Sequence, residues 1–452
     1  MIPLRESYHF IGIGGDGMSA LAWLLHERGH SVSGSDLRDN AHTRALQAAG
    51  VPIHLGHDDA RLAEDRSVVY SSAIGTDNVE LEAATRQSLP VYHRQEVLGQ
   101  LIASHRTLAI AGTHGKTTTS AMTAALLKAA GRDPSYLVGA PSPSLGGHAR
   151  LGESPWLVAE IDESDGRFRR FSPEIGVVCN VDRDHLNTYG SEACLASAFR
   201  DFVTQSRKVV MSADDPHTEA LRAAAADVWT FGLDQGADLE ARSVRQHRRA
   251  TTADLWFQGQ PIGHLALPAP GRHNVANALA ALLAGYLSGL DFEEMIATLA
   301  TFQLPERRFQ VLEENGRVVV DDYAHLPTQI AVNLDAVRRG WQPKRVIAVF
   351  QPHRYSRMSY LHKHFAQAFR GADLVIVSDI YPAFESPIPG VSSQRIVDAI
   401  RREHADVHYL PTLDDVYRFL RRRSEPGDFI IGFGPGDIGD VLHQVAREGR
   451  TL

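Results

Sequence analysis

The chain has 452 residues, 43% hydrophobic and 22% charged, with a formal net charge of −8. That length exceeds one ordinary domain, the composition is that of a globular protein, and the acidic balance excludes a nucleic-acid surface, which needs a basic footprint. Two cysteines, Cys179 and Cys194, make neither a disulfide framework nor a four-cysteine zinc site.

The opening segment "MIPLRESYHF" lacks a charged region followed by an apolar one, and no apolar run is long enough to span a bilayer. A cytoplasmic chain with no membrane partner is the expectation. Short apolar runs then alternate with amphipathic stretches, the pattern of parallel α/β sheets. "YHFIGIG", "SVSGSD" and "SVVYSSAI" are the first strand candidates. "TLAIAGT", "WLVAEID", "EIGVVCNVD", "KVVMSADD" and "DVWTFG" form a second block. The stretch from Leu239 to Leu267 reads as strands with turns, and "RHNVANALAALLAGYLSGL" as a helix. "PERRFQV", "RVVVDDY", "RVIAVFQPH", "DLVIVSDI" and "DFIIGFG" form a third block. Boundaries near 104 and 304 give domains 1–103, 104–303 and 304–452.

Two glycine-rich turns each join a strand to a helix. "IGIGGDGMSA" places Gly12, Gly14 and Gly17 in the spacing of a dinucleotide-binding turn, and Asp36 closes the next strand, where a ribose-binding acid would sit. A redox-cofactor site and a polyphosphate cradle both remain open readings. Asp16 within the turn would repel a pyrophosphate unless its carboxylate is turned away. The second turn, "AGTHGKTTTSAM", keeps Gly112 and Gly115 but has Ile110 where the strict phosphate-loop spacing asks for glycine. Unpaired amides and the helix dipole make such a helix start an anion site. Lys116 would reach terminal phosphates, and the Thr117 hydroxyl would bind Mg²⁺. The alternative is a Gly-Lys-Thr that only starts a helix.

Glu160 ends the strand "WLVAE", followed by Asp162, Glu163 and Asp165, and His185 follows "NVDRD". At the carboxyl edge of a parallel sheet these side chains could share Mg²⁺ or Mn²⁺ near a triphosphate.

Taken together, "HFIGIGGDGMSALA", "YSSAIGTDN", "AGTHGKTTTSAM", "EIDESD", "NVDRDHLNTY", "GRHNVANALAA", "DDYAHLPT", "FQPHRYSR", "YPAFESPIPG" and "GPGDIG" resemble, in fixed order, the motifs of the Mur ligases, nearest their alanine-adding branch. The resemblance spans nearly the whole chain. It implies an α/β fold of three domains: a Rossmann-like UDP-binding domain, a central ATPase-like domain and a Rossmann-like C-terminal domain. It also explains two cradles, since a UDP-sugar and ATP are bound at once.

The activity implied is ATP-dependent joining of L-alanine to UDP-N-acetylmuramate through an acyl phosphate, in a cytoplasmic monomer or weak homodimer. By resemblance, Gly14, Gly15, Gly17, Met18, Ser19, Asp36, Ser71, Ser72 and Arg94 contact the UDP-sugar. Gly112, Thr113, His114, Gly115, Lys116, Thr117, Thr118, Asn274, Arg308 and Asp322 bind ATP. Thr117 and Glu160 hold one Mg²⁺ and His185 a second metal ion. Tyr323, Arg354 and Arg357 take the amino acid, and Lys116, His185, His325 and Arg354 carry catalysis.

The chain departs from the family pattern at Asp16, Gly75, Leu326 and Pro435. Some Mur ligases carry a carbamylated lysine beyond the histidine matched by His185, but residues 186–207 contain no lysine. Alternatives to this activity are a ligase with another amino acid or a recycled peptide as acceptor, a non-catalytic UDP-sugar sensor, and a nicotinamide-dependent dehydrogenase.

Overall fold

The computed structural model describes residues 6–58, 62, 65–233 and 236–449. Its backbone divides into two compact units: one of residues 1–183, 191–240 and 277–298, the other of residues 184–190, 241–276 and 299–452.

In the first unit, strands β1 (Ser7–Ile11), β2 (Ser31–Asp36), β3 (Ile53–Leu55), β4 (Ser67–Tyr70) and β5 (Val91–His93) form a parallel sheet in the order β3-β2-β1-β4-β5. Helices α1 (Asp16–Glu27), α2 (Ala41–Ala48), α3 (Val79–Arg86) and α4 (Arg94–Ser104) connect them. A second sheet contains β6 (Arg106–Ala111), β7 (Ser135–Ser142), β8 (Gly147–Arg150), β9 (Trp156–Glu160), β10 (Ile175–Val178), β11 (Lys208–Ser212) and β12 (Val228–Gly232). Their order is β12-β11-β10-β6-β9-β7-β8, with β8 antiparallel to β7. β6 lies between β9 and β10 and feeds α5 (Lys116–Ala129).

After β13 (Leu239–His247), the second unit includes a hairpin of β14 (Ala250–Phe257) and β15 (Gln260–Leu267), and a sheet built on "RVVVDD", "RVIAVF", "LVIV" and "DFIIGF". That sheet comprises β16 (Gln310–Asn315), β17 (Arg317–Asp322), β18 (Arg345–Phe350), β19 (Leu374–Val377), β20 (Val407–Tyr409) and β21 (Asp428–Phe433). Its order is β16-β17-β21-β18-β19-β20, parallel except at β16. Both faces are buried. Val320, Ala348 and Ile431 enter one apolar cluster, and their neighbours Val319, Ile347 and Ile430 enter the other. The two-residue strand period sends alternate side chains to opposite faces, so continuous apolar runs cover both. The functional turns therefore collect where parallel strands end, at the carboxyl edge.

The strands read from sequence are present. β3, β5, β7, β8 and β20 were not among them: three are only three residues long, and β7–β8 carries Pro141 and Gly146 at its turn.

Candidate active site

The second glycine turn is shaped by the segment after β10. Thr113 N–H donates to the Asn180 carbonyl (3.1 Å), His114 N–H to Asn180 Oδ1 (2.8 Å), and Asp182 N–H to Thr113 Oγ1 (2.9 Å). His114 Nε2 lies 2.8 Å from Asp182 Oδ2. Gly112 and Gly115 have φ of +130° and +80°, where a β-carbon is costly. A side chain at Gly115 would also strike Asn277, and one at Gly112 would meet the backbone of Asn180 at 3.1 Å. The α5 N-terminus, at Gly115, has no side-chain cap, and a helix start of this kind suits an anion.

Lys116 is folded over this turn. Its Nζ donates to the Gly112 carbonyl (2.6 Å) and lies 2.8 Å from Glu163 Oε2. Burial opposes the ammonium charge, but Glu163, with Glu160 and Asp162 beyond it, outweighs that, and the Lys116 pKa is raised. Burial pushes Glu163 up to about 7 even though Lys116 pulls the other way. A buried carboxylate thus holds the lysine ammonium over the glycine turn. Next to it, Thr117 Oγ1 donates to Glu160 Oε1 (3.0 Å), while Glu160 Oε2 accepts from Gly139 N–H (2.6 Å). Any side chain at Gly139 would collide with that carboxylate at 2.5–2.8 Å. Thr118 is buried beneath the turn.

The acids "EIDESD" do not act as one metal cluster. Asp162 pairs with Arg94, Glu163 with Lys116, and Asp165 with His93 at 3.4 Å. Arg94 and Lys116 thus occupy Asp162 and Glu163, and Glu160 stays beside Thr117; burial holds His93 down at about 4, so Asp165 faces a neutral ring. Among the described residues no three His, Cys, Asp or Glu side chains gather to hold a metal ion. The hydroxyl and carboxylate of Thr117 and Glu160 are hard oxygen donors that suit Mg²⁺ completed by phosphate oxygens and water.

The first glycine turn hangs from β2. Gly12 and Ile13 N–H donate to the Ser35 carbonyl at 2.8 and 3.0 Å, and Gly14 N–H donates to Asp36 Oδ2 at 2.8 Å. Asp36 Oδ1 accepts from Arg38 N–H (3.0 Å). Asp36 therefore spends both oxygens on local backbone, shaping the loop. A β-carbon at Gly14 would meet Asn40 and Thr43 at 2.7–2.8 Å, and one at Gly17 would meet the Arg94 guanidinium. α1 also starts without a side-chain cap, at Gly15. Met18 and Ser19 are buried in its first turns, and Ser72 Oγ lies 3.0 Å from His93 Nε2 beyond β4, next to Ser71. These residues share the carboxyl edge of the first sheet.

In the second unit, Arg357 closes its planar fork on Asp184: Nε donates to Oδ1 (2.9 Å) and Nη2 to Oδ2 (3.1 Å). Both side chains are 6% exposed. Burial alone would raise the Asp184 pKa, but Arg357 and His185 hold it well below the carboxylate range. His185 sits at φ +54° with its Nε2 3.3 Å from Asp184 Oδ2. Arg354 and Arg357, both expected at the amino-acid site, differ in their surroundings. Arg357 is already matched by Asp184, whereas the buried Nε of Arg354 has no hydrogen-bond partner among the described residues. Arg354 takes φ +67°, and its N–H donates to the Tyr381 carbonyl (2.9 Å).

His325 lies between Tyr323 and His353, with ring centroids 5.8 and 5.6 Å away. Burial, then Arg357, His325 and Arg354, hold His353 neutral, far below the usual histidine range. Asp322 accepts from Phe309 and Ala324 N–H at 2.6 and 2.8 Å, and burial lifts it to about 6. Arg308 stacks over Tyr323 at 4.4 Å. Asn274 Nδ2 donates to the Pro270 carbonyl (2.7 Å) at the start of its helix. One departure has a structural reason, since Leu326 belongs to the apolar cluster of the third sheet; at Pro435 only the backbone carbonyl is engaged, by Arg307 (3.0 Å), and nothing in the structure explains the proline.

Family models match along most of the chain: "Mur ligase family, catalytic domain" over residues 7–106, "Mur ligase middle domain" over 110–285 and "Mur ligase, glutamate ligase domain" over 307–436. The chain belongs to the Mur ligase family. Its α/β fold has the three domains of that family. It is 43% identical to the UDP-N-acetylmuramate–L-alanine ligase of Pelotomaculum thermopropionicum, covering 96% of this chain and 95% of that one. Identity is likewise 43% to the ligase of the same name from Gloeobacter violaceus, over 98% and 96% of the two chains. The crystal structure of the UDP-N-acetylmuramate–alanine ligase from Thermotoga maritima superposes with a TM-score of 0.84 at 29% identity, over 99% of this chain and all of that one.

Sequence reasoning singled out both glycine turns, Lys116, Glu160 and His185 as candidates. It missed Glu163 as the lysine's partner, Asp184 as the partner of Arg357, and His353. The "HRYSR" motif already contained His353, and "DRDH" contained Asp184.

Proposed function

We propose that the chain is an ATP-dependent ligase that joins L-alanine to the lactyl carboxylate of UDP-N-acetylmuramate, in the synthesis of peptidoglycan precursors. The observation that carries this reading is the 43% identity, over 96% of the chain, to a ligase of that name. The two glycine cradles fit the need to hold two polyphosphates.

A carboxylate is a poor electrophile and must first be activated. Its oxygen attacks the γ-phosphorus of ATP, ADP leaves, and an acyl phosphate forms. The amine of L-alanine, having lost a proton, attacks the acyl carbon, and the tetrahedral intermediate expels phosphate. The protein's part is positioning and charge compensation.

Lys116 is the clamp on the transferring group. Its raised pKa keeps it cationic, and an incoming phosphate displaces Glu163 from it. The uncapped amides of α5 at Gly115 receive the same phosphates, within a turn completed by Gly112, Thr113, His114 and Thr118. Thr117 and Glu160 would hold Mg²⁺ or Mn²⁺, with His185 assigned to a second ion; such ions neutralise phosphate charge. Gly14, Gly15, Gly17, Met18, Ser19, Ser71, Ser72 and Arg94 take the UDP-sugar, with Asp36 shaping their loop. Asn274, Arg308 and Asp322 are assigned to the nucleoside end of ATP. Tyr323, His325 and Arg354 are assigned to the amino acid, the open Nε of Arg354 suiting its carboxylate.

No described helix is long and apolar enough to cross a membrane, and we assign the enzyme to the cytoplasm, with its nucleotide substrates.

Phosphate release should require ATP, UDP-N-acetylmuramate and L-alanine together. Release with a peptide but not with L-alanine would reassign the acceptor, and release with no sugar nucleotide would sink the reading.

A further inference from the structure

The first residue of α1 is Asp16, a carboxylate at the mouth of a loop assigned to a diphosphate. An acid there suits the helix dipole but opposes the ligand's charge. It is not isolated. His42 Nε2, on α2, lies 3.1 Å from Asp16 Oδ1. The side chain of His42 is largely covered, whereas that of Asp16 is more than half exposed. His42 in turn packs on His148 of β8, with ring centroids 4.6 Å apart. His148 Nε2 lies 3.3 Å from Ser19 Oγ, and Ser19 Oγ donates to the Asp16 carbonyl at 3.0 Å. Burial, then His42, hold His148 down at about 4, so it is a neutral spacer. Three elements thus position one imidazole against one carboxylate beside the loop. Neither His42 nor His148 was among the residues assigned to the sugar nucleotide.

We propose that Asp16 and His42 act as a coupled pair that sets affinity for the sugar nucleotide's diphosphate. Asp16 is the unfavourable charge, and His42 is the positioning residue whose contact at 3.1 Å holds that carboxylate aside. This rests on the assignment of the first loop to UDP-N-acetylmuramate.

The test is a double-mutant cycle read as KM for UDP-N-acetylmuramate, with kcat and KM for ATP measured alongside. His42→Ala should raise KM for the sugar nucleotide about tenfold while Asp16 is present. In the Asp16→Asn background the same change should move it less than about twofold, and Asp16→Asn alone should lower KM or leave it level. KM for ATP should stay put in all three variants. A merely structural histidine would show the same penalty in both backgrounds, and that result, or no penalty in either, overturns the proposal.

Gly14→Ala serves as the control for the underlying assignment, since its β-carbon would collide with Asn40 and Thr43. A raised sugar-nucleotide KM in folded Gly14→Ala with an uncoupled Asp16–His42 cycle rejects the pair alone. An unchanged KM in folded Gly14→Ala rejects the loop assignment and the pair with it.

Discussion

Replacing Lys116 by alanine removes the cation of the second loop and leaves Glu163, 2% exposed, without its counter-charge. Two effects follow, and they separate by pH. The first is catalytic. Losing one charge clamp on a transferring phosphoryl group costs on the order of 3 kcal/mol or more in the barrier, roughly a hundredfold or greater loss of rate.

The second effect is on stability. Glu163 already sits at about 7 in the folded protein, above its ordinary 4.5. A carboxyl raised in this way contributes stability that is full below its unfolded value and is lost as pH rises through the folded one. Lys116 pulls that value down, so its removal moves the folded pKa further up and extends the loss to higher pH. The gap in Tm between wild type and Lys116→Ala should therefore be small at about pH 5 and wider at about pH 8. Breaking a buried pair costs about 3–5 kcal/mol if the remaining charge stays, and proton uptake by Glu163 holds the cost below that ceiling.

Adding Glu163→Gln should close the Tm gap at the higher pH without restoring turnover. The assays are thermal unfolding across pH and phosphate release at saturating substrates. Near-normal phosphate release from a folded Lys116→Ala variant would refute the assignment of Lys116, and a Tm gap independent of pH would refute the account of the pair.

Arg354→Ala should raise the apparent KM for L-alanine at least tenfold with little change for ATP, as loss of a charge-assisted carboxylate contact requires; a defect confined to ATP would move Arg354 out of the amino-acid site. Asp184→Asn should cost about 3–5 kcal/mol in urea unfolding, because the Arg357 guanidinium stays buried without its countercharge, and a loss near zero would show that the pair is not what holds this corner. Turnover should not respond to bicarbonate in degassed buffer. Residues 186–207 hold no lysine to carbamylate, Arg200 lies exposed on the helix Glu192–Gln205, and Lys208 already opens β11; a reversible stimulation would place a carbamylated lysine elsewhere.

The glycine turns were legible because their signal is local. A strand, glycines and a helix start fall within a dozen residues, and backbone geometry at Gly112 and Gly115 demands those residues. The parallel sheets were legible for the same kind of reason: runs such as "RVIAVF" bury both faces and read as continuous apolar stretches. Partnership was not legible. Asp184 and Arg357 are 173 residues apart, and no periodicity joins them. "EIDESD" looks like a ligand cluster because carboxylates that bind metal and carboxylates that bind Arg94, Lys116 or His93 are the same chemical group. Which role each takes depends on what the neighbouring strands bring to the edge. Asp36 is a similar case: its position predicts a ribose contact, but two backbone amides claim its oxygens. The β7–β8 hairpin was hidden by Pro141 and Gly146, and Gly139 within β7 is what lets the Glu160 carboxylate approach the strand.

The central claim is that this chain forms an amide bond between L-alanine and UDP-N-acetylmuramate at the expense of ATP. Mass spectrometry of the sugar nucleotide after incubation with all three substrates tests it most directly. The account predicts a product heavier by one alanyl residue, formed one-for-one with ADP and phosphate, and absent with Lys116→Ala. An unmodified sugar nucleotide alongside ATP turnover, or addition of a different residue in preference to alanine, would contradict it.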